Sequence, residues 1–391
     1  MIANERESIL FVAPWVPSKQ RPRSYGLIEA LLQEYDVTAV LQTWSASDRA
    51  EAAELATVSP RLNVVSVKES KFRAMVRAVL ALGTRRSLQQ AFTNSRAFRR
   101  VLRETTASVA PAMTYLNVIR SAHFSNEVSG TLVIDLDEFR SDYYRQVAKN
   151  SRNPVWRYIG ALEARRMARA EAKVVEEFDL ILVSSPAELR TGAKTALVWS
   201  PHTLDEALAL TPDADEAQPS VRLLFVGRLS YRANYEAVDW LAKELMPKLR
   251  LVRDDATLSI VGRDPRPATR RLASSAVDVV GGVPDVAPYY AQSDVSLVPI
   301  RMATGVQMKL IESAVMRTPI VTSPVSAERA GLLHEHHCLI ADDATEWVSA
   351  ISRILADAEL RRRLTENAHE WASQFSREKV SESVLRLLRE L

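Results

Sequence analysis

The sequence predicts an α/β protein with two domains, each built around a parallel sheet. The first observation behind this prediction is the length of 391 residues, which suits two or three domains of ordinary size. The second is that short apolar runs alternate with helical patterns in both halves of the chain. The third is a segment at 200–220 with three prolines, five acids and little apolar periodicity. We therefore expect domains at 1–200 and 221–373, a linker at 201–220 and a terminal segment at 374–391.

Composition indicates a soluble globular chain, with 47% hydrophobic and 25% charged residues. The net charge of +3 is too small to indicate a nucleic-acid partner. The single cysteine excludes an internal disulfide, and no run of about 20 apolar residues predicts a membrane span. The first residues, MIANERES, carry acids where a signal peptide needs positive charge. We expect a cytoplasmic protein.

In the first half, strands are predicted where short runs of apolar, often β-branched residues occur. They lie at 9–13, 37–41, 62–67, 132–138, 180–185 and 196–199. A helix begins near Ser24, because Leu27, Ile28 and Leu31 follow at helical spacing. This helix and its flanking strands form a βαβ unit. A long charged helix is predicted at 156–177.

The loop after the first strand carries Lys19, Arg21 and Arg23. These charges indicate a nearby anion, and the alternative is a solvated, proline-rich loop. The strand at 132–138 ends in three acids, Asp135, Asp137 and Glu138. Because open α/β sheets bind ligands at the carboxyl ends of their strands, Asp137 is a candidate site residue. We do not expect a metal there, since hard cations usually gather more oxygen ligands than one such pair supplies.

The segment at 68–103 carries ten basic residues and one acid, Glu69. Within it, apolar residues recur at helical spacing, at Phe72, Met75, Val76, Val79 and Leu80. Such a helix suits an anionic membrane surface, to which basic residues are attracted. The alternative is a helix that packs these apolar residues into the core and exposes its charges.

The second half repeats the alternation of strands and helices. Strands are predicted at 221–226, 257–261, 277–280, 295–298 and 320–322, with helices at 305–316 and 344–373. The last segment, 376–391, has an apolar stripe formed by Val380, Val384, Leu385, Leu387 and Leu388.

The segment around 298–324 is the strongest site candidate in the sequence. Gly305 is predicted to open a helix whose free amides, on Val306 and Gln307, face an anion. Lys309 and Glu312 are three residues apart, which suits one side chain to a phosphate and the other to the hydroxyls of a ribose. The segment predicts a diphosphate site. The alternative is a helix whose charges form only its wet face.

This pattern, R-x-A-x-G-V-Q-x-K-x-x-E, resembles the donor-binding segment of GT-B glycosyltransferases of the group-one, family-four, retaining kind. It consists of Arg301, Ala303, Gly305, Val306, Gln307, Lys309 and Glu312. Within that group it is most similar to bacterial sugar transferases of exopolysaccharide assembly. The resemblance implies two Rossmann-like domains facing a cleft, an acceptor domain first and a nucleotide-sugar donor domain second. It also implies that the C-terminal helix crosses back to the first domain.

The resemblance further implies roles for individual residues of the second domain. Gly227 and Arg228 match a segment that clasps the donor diphosphate, but Asn234 stands where relatives carry a second cation, a lysine. Lys309 or Arg301 would then supply the missing charge. Thr304 replaces an acid that contacts the donor sugar in relatives. Val283 and Pro284 lie where relatives hold the nucleobase, although this turn is equally suited to be an ordinary helix start.

In the first domain, Arg23 and Tyr25 match an R-x-Y element of the exopolysaccharide subgroup. Asp137 lies near the position at which group-one relatives often carry a histidine that contacts the sugar, and the acid-rich strand end resembles the subgroup's version. The expected catalytic residues are Arg228, Lys309 and Asp137. The first two would stabilise the departing phosphate without a metal.

The function that we expect is transfer of a sugar from a nucleotide-diphosphate sugar, acting as co-substrate without a further cofactor. The acceptor is expected to be a saccharide or a polyprenyl-linked saccharide of cell-surface or exopolysaccharide biosynthesis, on the inner face of the plasma membrane. One alternative acceptor is a soluble natural product. Another alternative is a degenerate GT-B module without turnover, which Thr304, Asn234 and the absent histidine favour and which the retained Gly305, Lys309, Glu312 and Arg228 oppose.

Overall fold

The computed structural model describes residues 6–18, 21–151, 153–201, 220–302 and 305–391. The chain divides into two compact units, Met1–Pro201 with Arg377–Leu391 and His202–Ser376. All but the ends of the predicted linker lie outside the described residues, as do Ala303 and Thr304.

The first unit is a seven-stranded parallel sheet with helices on both faces. Its elements are β1 (Ser8–Ala13), α1 (Pro22–Glu34), β2 (Asp36–Thr43), α2 (Ala46–Leu55), β3 (Leu62–Lys68), α3 (Lys71–Leu80), α4 (Leu88–Thr93), α5 (Arg96–Val109), β4 (Met113–Asn117), β5 (Thr131–Asp137), α6 (Arg140–Asn150), α7 (Pro154–Glu177), β6 (Leu180–Val183) and β7 (Thr195–Leu197). Short 3-10 turns occur at Ala81–Gly83, Ala122–Glu127 and Pro186–Glu188. The strand order is β3-β2-β1-β4-β5-β6-β7, so the order reverses between β1 and β4.

Two apolar layers enclose this sheet. On one face, Ile9 and Phe11 of β1 pack with Leu27 and Leu31 of α1. On the other face, Leu10 of β1 belongs to a cluster that also includes residues of α5 and α7. Because both faces are covered, the central strands consist of nearly continuous apolar residues, which is the pattern that predicted them.

The second unit is a six-stranded parallel sheet. Its elements are β8 (Arg222–Val226), α8 (Arg232–Trp240), a π-helical turn (Leu241–Leu245), α9 (Met246–Leu249), β9 (Thr257–Val261), α10 (Pro267–Arg270), β10 (Val277–Gly281), α11 (Ala287–Ala291), β11 (Val295–Val298), α12 (Met308–Val315), β12 (Ile320–Thr322), α13 (Pro324–Ala330), β13 (Leu339–Ile340), α14 (Ala344–Ala356), α15 (Ala358–Ala372) and a 3-10 turn (Ser373–Phe375). The strand order is β10-β9-β8-β11-β12-β13, and it reverses between β8 and β11.

The last helix, α16 (Arg377–Arg389), belongs to the first unit. Val384 and Leu388 share a buried cluster with Leu27 and Leu31 of α1, and Arg389 forms an ion pair with a glutamate at the end of α1. The prediction of two parallel-sheet α/β domains with a returning terminal helix is confirmed.

Helix α3 exposes its apolar residues instead of packing them. Phe72 is 79% exposed and Leu80 is 71% exposed, while Ala74 is the buried residue of this helix. The sequence-based alternative, in which these apolar residues face the core, is therefore wrong. Among the described residues, no helix combines the length and the apolarity that a membrane span requires.

Candidate functional site

The candidate donor site lies at the carboxyl ends of β8 and β11, where the strand order of the second unit reverses. Open α/β sheets bind ligands at such a reversal, because the loops from the two strands diverge there. Gly227 follows β8, and the segment that leads to α12 follows β11. Any side chain on Gly227 would come within 2.8 Å of the Asn234 amide nitrogen. A glycine is therefore needed for Asn234 to approach the strand end.

Asn234, on α8, links two candidate residues. Its amide nitrogen donates to the backbone oxygen of Arg228 at 2.9 Å, and its Oδ1 accepts from Nζ of Lys309 at 3.0 Å. Lys309 is only 6% exposed, and its Nζ lies 5.1 Å from the ring centroid of Phe225. The structure thus brings Lys309 together with Gly227, Arg228 and Asn234, which lie 75 to 82 positions earlier in the sequence.

Burial makes the Lys309 ammonium a weakly solvated charge. Desolvation lowers its pKa to about 8, and the charge of Glu312 acts in the opposite direction. Among the described residues, the side chain has a neutral amide as its hydrogen-bond partner. A buried cation with a neutral partner is well suited to receive an anion.

Glu312 lies one turn further along α12 and accepts a hydrogen bond from the Tyr290 hydroxyl at 2.8 Å. Burial raises the pKa of Glu312, while the Tyr290 hydrogen bond and the charge of Lys309 lower it in part. Tyr290 is itself buried, and its backbone oxygen accepts from Thr318. Within the described part of the chain, one oxygen of this carboxylate has a hydrogen-bond partner, which leaves the second oxygen for a ligand.

The two arginines predicted for the donor site are exposed. Nε of Arg228 donates to Asp264 at 3.0 Å, and its side chain is 66% exposed. Arg301 stacks over Trp240, with 5.5 Å between the guanidinium carbon and the ring centroid. The Asn234 side chain bonds to Arg228 only at the backbone oxygen, and within the described structure neither guanidinium group bonds to it. Lys309 is therefore the cation found beside the Asn234 side chain.

Helix α12 starts later than the sequence predicts. It begins at Met308, and the preceding residue, Gln307, is extended, with φ −78° and ψ 118°. The predicted start at Gly305 is wrong, because a glycine followed by β-branched Val306 favours helix weakly. The free amides of the first turn are therefore those of Met308 and Lys309 rather than those of Val306 and Gln307. Thr304 lies outside the described residues.

The predicted nucleobase turn has the geometry of a helix start. The Asp285 carboxylate accepts from the amide of Ala287, the first residue of α11. Pro284 is exposed, and Val283 packs partly against the cluster that contains Tyr290. Contact with a nucleobase at Val283 and Pro284 stays a prediction.

The first unit holds a buried charged network at the carboxyl ends of β1, β4 and β5. Arg23 donates to both oxygens of Asp135 and, through Nη1, to the backbone oxygen of Val198 at 2.6 Å. Asp135 is 0% exposed and also accepts from the Asn117 amide at 3.2 Å. Arg23 therefore fits neither interpretation of the basic loop. Its guanidinium is buried rather than solvated, and its charge is already paired with Asp135 rather than available to a ligand anion. Lys19 lies outside the described residues.

Asp137 is the accessible member of this network. Its side chain is 43% exposed, and one carboxylate oxygen lies 3.5 Å from Nε of Arg23. Its backbone is left-handed, with φ 65°, and Val118, after the neighbouring strand, has φ 62°. Such angles are uncommon for residues other than glycine and are strained for a β-branched valine. Strain at two adjacent strand ends favours a functional surface here.

Several residues of the two sites were missed by the sequence analysis. Tyr290, Asp264 and Asn117 make side-chain hydrogen bonds to predicted site residues, and the whole of β4 went unpredicted. Asn117 could have been found, since it ends a short apolar run as Asp137 does. Nothing in the local spacing identifies Tyr290, whose hydroxyl meets Glu312 across 22 positions of sequence.

Comparison with known protein families assigns part of the chain. Residues 220–357 match the family described as Glycosyl transferases group 1. This match lies within the second unit and includes Gly227, Asn234, Lys309 and Glu312. A comparison with curated protein sequences finds no match.

Solved structures resemble nearly the whole chain. Sucrose-phosphate synthase from Thermosynechococcus elongatus superposes with a TM-score of 0.70 at 18% identity, covering 98% of this chain and 99% of that protein. HepE from Anabaena, solved in complex with UDP, gives 0.67 at 14% identity, covering 98% and 100%. The trehalose-6-phosphate protein from E. coli, bound with UDP-2-fluoro glucose, gives 0.63 at 12% identity, covering 98% and 99%. Identities this low show a shared fold, and the fold of this chain is that of the GT-B glycosyltransferases.

Proposed function

We propose that this chain is a nucleotide-sugar-dependent glycosyltransferase of the hexosyl-transferring type. The observation that carries the proposal is the buried ammonium of Lys309, held 3.0 Å from Asn234 beside the glycine that ends β8. A cation with a neutral partner, at a strand-order reversal and in the first turn of a helix, suits a diphosphate. The family match over 220–357 contains every one of these residues and supports the same conclusion.

The donor is proposed to be a nucleoside-diphosphate sugar, and UDP in the solved complexes of HepE supports a uridine donor. Lys309 and the amides of Met308 and Lys309 would contact the diphosphate, and Arg228 would reach it after exchanging Asp264 for the ligand. Glu312 would accept hydrogen bonds from the ribose through its second oxygen. Arg301, Gly305, Val306 and Gln307 are proposed to line the donor, with Thr304 near the sugar and Val283 and Pro284 at the base.

Transfer requires charge stabilisation on the departing phosphate as the sugar carbon becomes positive. Lys309 would supply a fixed positive charge, and Arg228 would supply a second one after it exchanges Asp264 for the ligand. Both charges would stabilise the leaving group. We infer from these cations a reaction that needs no added metal. We infer a retaining outcome from the resemblance of the segment around Gly305 to retaining group-one enzymes. Asp137 is proposed to orient the acceptor hydroxyl, because it is the exposed acid at the carboxyl end of its sheet.

The acceptor is proposed to be a saccharide or a polyprenyl-linked saccharide of cell-surface or exopolysaccharide biosynthesis. The segment 68–103 contains ten basic residues and the exposed apolar residues of α3, and this combination supports binding to an anionic membrane surface. The proposed location is the cytoplasmic face of the plasma membrane.

A thermal-shift screen of nucleoside diphosphates and nucleotide sugars tests the donor, with release of nucleoside diphosphate as the measure of turnover. A ligand at about 100 times its Kd stabilises the folded state by about 2.7 kcal/mol. We expect a shift with the matching nucleoside diphosphate and a clearly smaller shift in Lys309→Met. Turnover in the presence of a chelator would support independence from metal. Binding without any release of nucleoside diphosphate would instead support the degenerate module, and no shift with any nucleotide would refute the donor site.

A further inference from the structure

A cavity lies within the first unit, whereas the proposed donor residues belong to the second unit. Its volume is about 320 Å³, and it is formed by α4, the start of α5, the 3-10 turn at Ala122–Glu127 and the last turns of α7. Three basic side chains line it, Arg86, Arg99 and Lys173, and one acid, Glu177. The lining set thus carries an excess of positive charge. None of these residues belongs to the proposed donor or acceptor-hydroxyl sites.

The three basic residues differ in whether their side chains already form ion pairs or hydrogen bonds. Arg99 pairs with Glu127 and also donates to Asn94 at 2.8 Å, and Lys173 pairs with Glu177 at 3.2 Å. For the Arg86 side chain, no ion pair or hydrogen bond is found within the described parts of the chain. Arg86 therefore offers a guanidinium at the cavity with its donors available.

His123 adds a buried polar group to the same wall. Neither of its ring nitrogens is exposed, and neither has a hydrogen bond of ordinary geometry to the rest of the described structure. Burial, followed by the charges of Arg99 and Arg86, lowers the pKa of His123 to about 3, which an interaction with the Arg120 backbone offsets only in part. An anion that enters the cavity would offset the nearby positive charges, and it could accept a hydrogen bond from the imidazole N–H.

Two exposed leucines at the end of α3 and just after it shortly precede Arg86 in the sequence. Arg166 of α7 donates to the backbone oxygens of Leu82, at 2.7 Å, and Thr84, at 2.6 Å. This fixes the segment just before Arg86 against α7, about 10 Å along that helix from Lys173. Leu80 and Leu82 on this segment are 71% and 50% exposed. A cationic cavity and an exposed apolar surface are thus neighbours.

We propose that this cavity binds the phosphate or diphosphate of a ligand whose apolar chain lies against Leu80 and Leu82. The chemistry is that of a prenyl diphosphate, in which anion and hydrocarbon adjoin. The proposal that the cavity binds phosphate does not depend on the proposed function. The assignment of this ligand as the lipid-linked acceptor does rest on the proposed function. A phosphorylated ligand without a hydrocarbon chain would bind the basic residues of the cavity without contacting Leu80 or Leu82.

The experiment compares inorganic pyrophosphate with farnesyl diphosphate by calorimetry, with the donor site saturated by nucleoside diphosphate. The variant is Arg86→Gln with Lys173→Gln. The matched control, Arg85→Gln with Arg169→Gln, removes the same charge from exposed positions of the same segment and helix that do not line the cavity. We expect the variant to weaken both ligands at least tenfold and the control to change neither more than twofold. Leu80→Gln with Leu82→Gln should weaken farnesyl diphosphate alone.

A second measurement locates the ligand. The chain has six histidines, so the ring resonances of selectively labelled histidine are few, and His123→Gln assigns the one of interest. Pyrophosphate should shift the His123 resonance in the control and not in the variant. Equal binding by variant and control, or an unmoved His123 resonance, would overturn the site. Equal affinity for the two ligands would overturn the apolar part and favour a soluble phosphate. Nucleoside diphosphate should bind the cavity variant normally, so failure here is distinct from failure of the donor site.

Discussion

The Lys309 ammonium lies 3.0 Å from the Asn234 side-chain oxygen, and this contact accounts for the unusual asparagine. With a lysine at 234, two ammonium groups would meet in a site where Lys309 is already 6% exposed. Like charges at that distance would lower the pKa of one of them or hold it away. Asparagine instead accepts from Lys309 and donates to the Arg228 backbone, so one cation is held where the resemblance implies two.

This arrangement predicts a pH dependence of donor binding. Burial lowers the pKa of Lys309 to about 8, so the ammonium loses its proton as pH rises through that value. Nucleoside-diphosphate affinity should therefore fall between about pH 7.5 and 9.5, while nucleoside affinity stays constant. In Lys309→Met the diphosphate should bind more than tenfold more weakly at pH 7, with no fall at higher pH. Calorimetry at four or five pH values measures this, and a parallel fall in the variant would contradict the assignment.

The same pKa shift predicts an effect on stability of definite sign. In the unfolded chain a lysine keeps its proton up to about pH 10.4, whereas folded Lys309 loses it near pH 8. Between these values the unfolded state binds more protons, so the free energy of unfolding contributed by Lys309 rises with pH. Lys309→Met removes this rise. Denaturant unfolding of both proteins at pH 7 and pH 9.5 should show wild type gaining stability relative to the variant.

Glu312 provides a prediction about the ribose. Glu312→Gln keeps the size of the side chain but replaces one acceptor oxygen with a donor group. Loss of charge-assisted hydrogen bonds costs about 1.5–3 kcal/mol each, so nucleoside and nucleoside diphosphate should both bind more than tenfold more weakly. Tyr290→Phe is the matched control, because it removes the 2.8 Å hydrogen bond but leaves the carboxylate. Its effect should be smaller, and unchanged affinity in folded Glu312→Gln would remove the ribose contact from α12.

Most strands and both parallel sheets were predictable because buried strands have a distinctive local composition. Every predicted strand corresponds to a strand of the structure, whereas β4 and β13 went unpredicted. The contacts of the sites were not. Lys309 was expected to contact a phosphate, but its burial against Asn234 was not foreseen, since Asn234 lies 75 positions away in sequence. Arg23 was expected to attract an anion, but Asp135, 112 positions away, neutralises it. Local periodicity contains no information on such pairings, which the topology of the sheets creates.

Asp137 offers a prediction that separates backbone strain from chemistry. At φ 65° a residue with a Cβ costs about 1–2 kcal/mol relative to glycine. Asp137→Gly should therefore be more stable than Asp137→Ala by about 1 kcal/mol, as measured by denaturant unfolding. If the carboxylate orients the acceptor, both variants should lose turnover to a similar extent while keeping donor affinity. Full turnover in Asp137→Gly would show that only the backbone conformation matters.

The last prediction concerns the membrane surface. Phe72 and Leu80, at opposite ends of α3, are 79% and 71% exposed, so glutamine at both positions should not alter the fold. Because the surrounding segment is strongly basic, the protein should float with vesicles that contain anionic lipid, and salt should weaken this binding by screening. Phe72→Gln with Leu80→Gln should reduce the bound fraction several-fold, since the apolar residues would no longer enter the lipid. Leu251→Gln is the control, as Leu251 is 86% exposed on the other unit. Equal flotation with neutral vesicles at every salt concentration, or equal flotation of both variants, would refute membrane docking through α3.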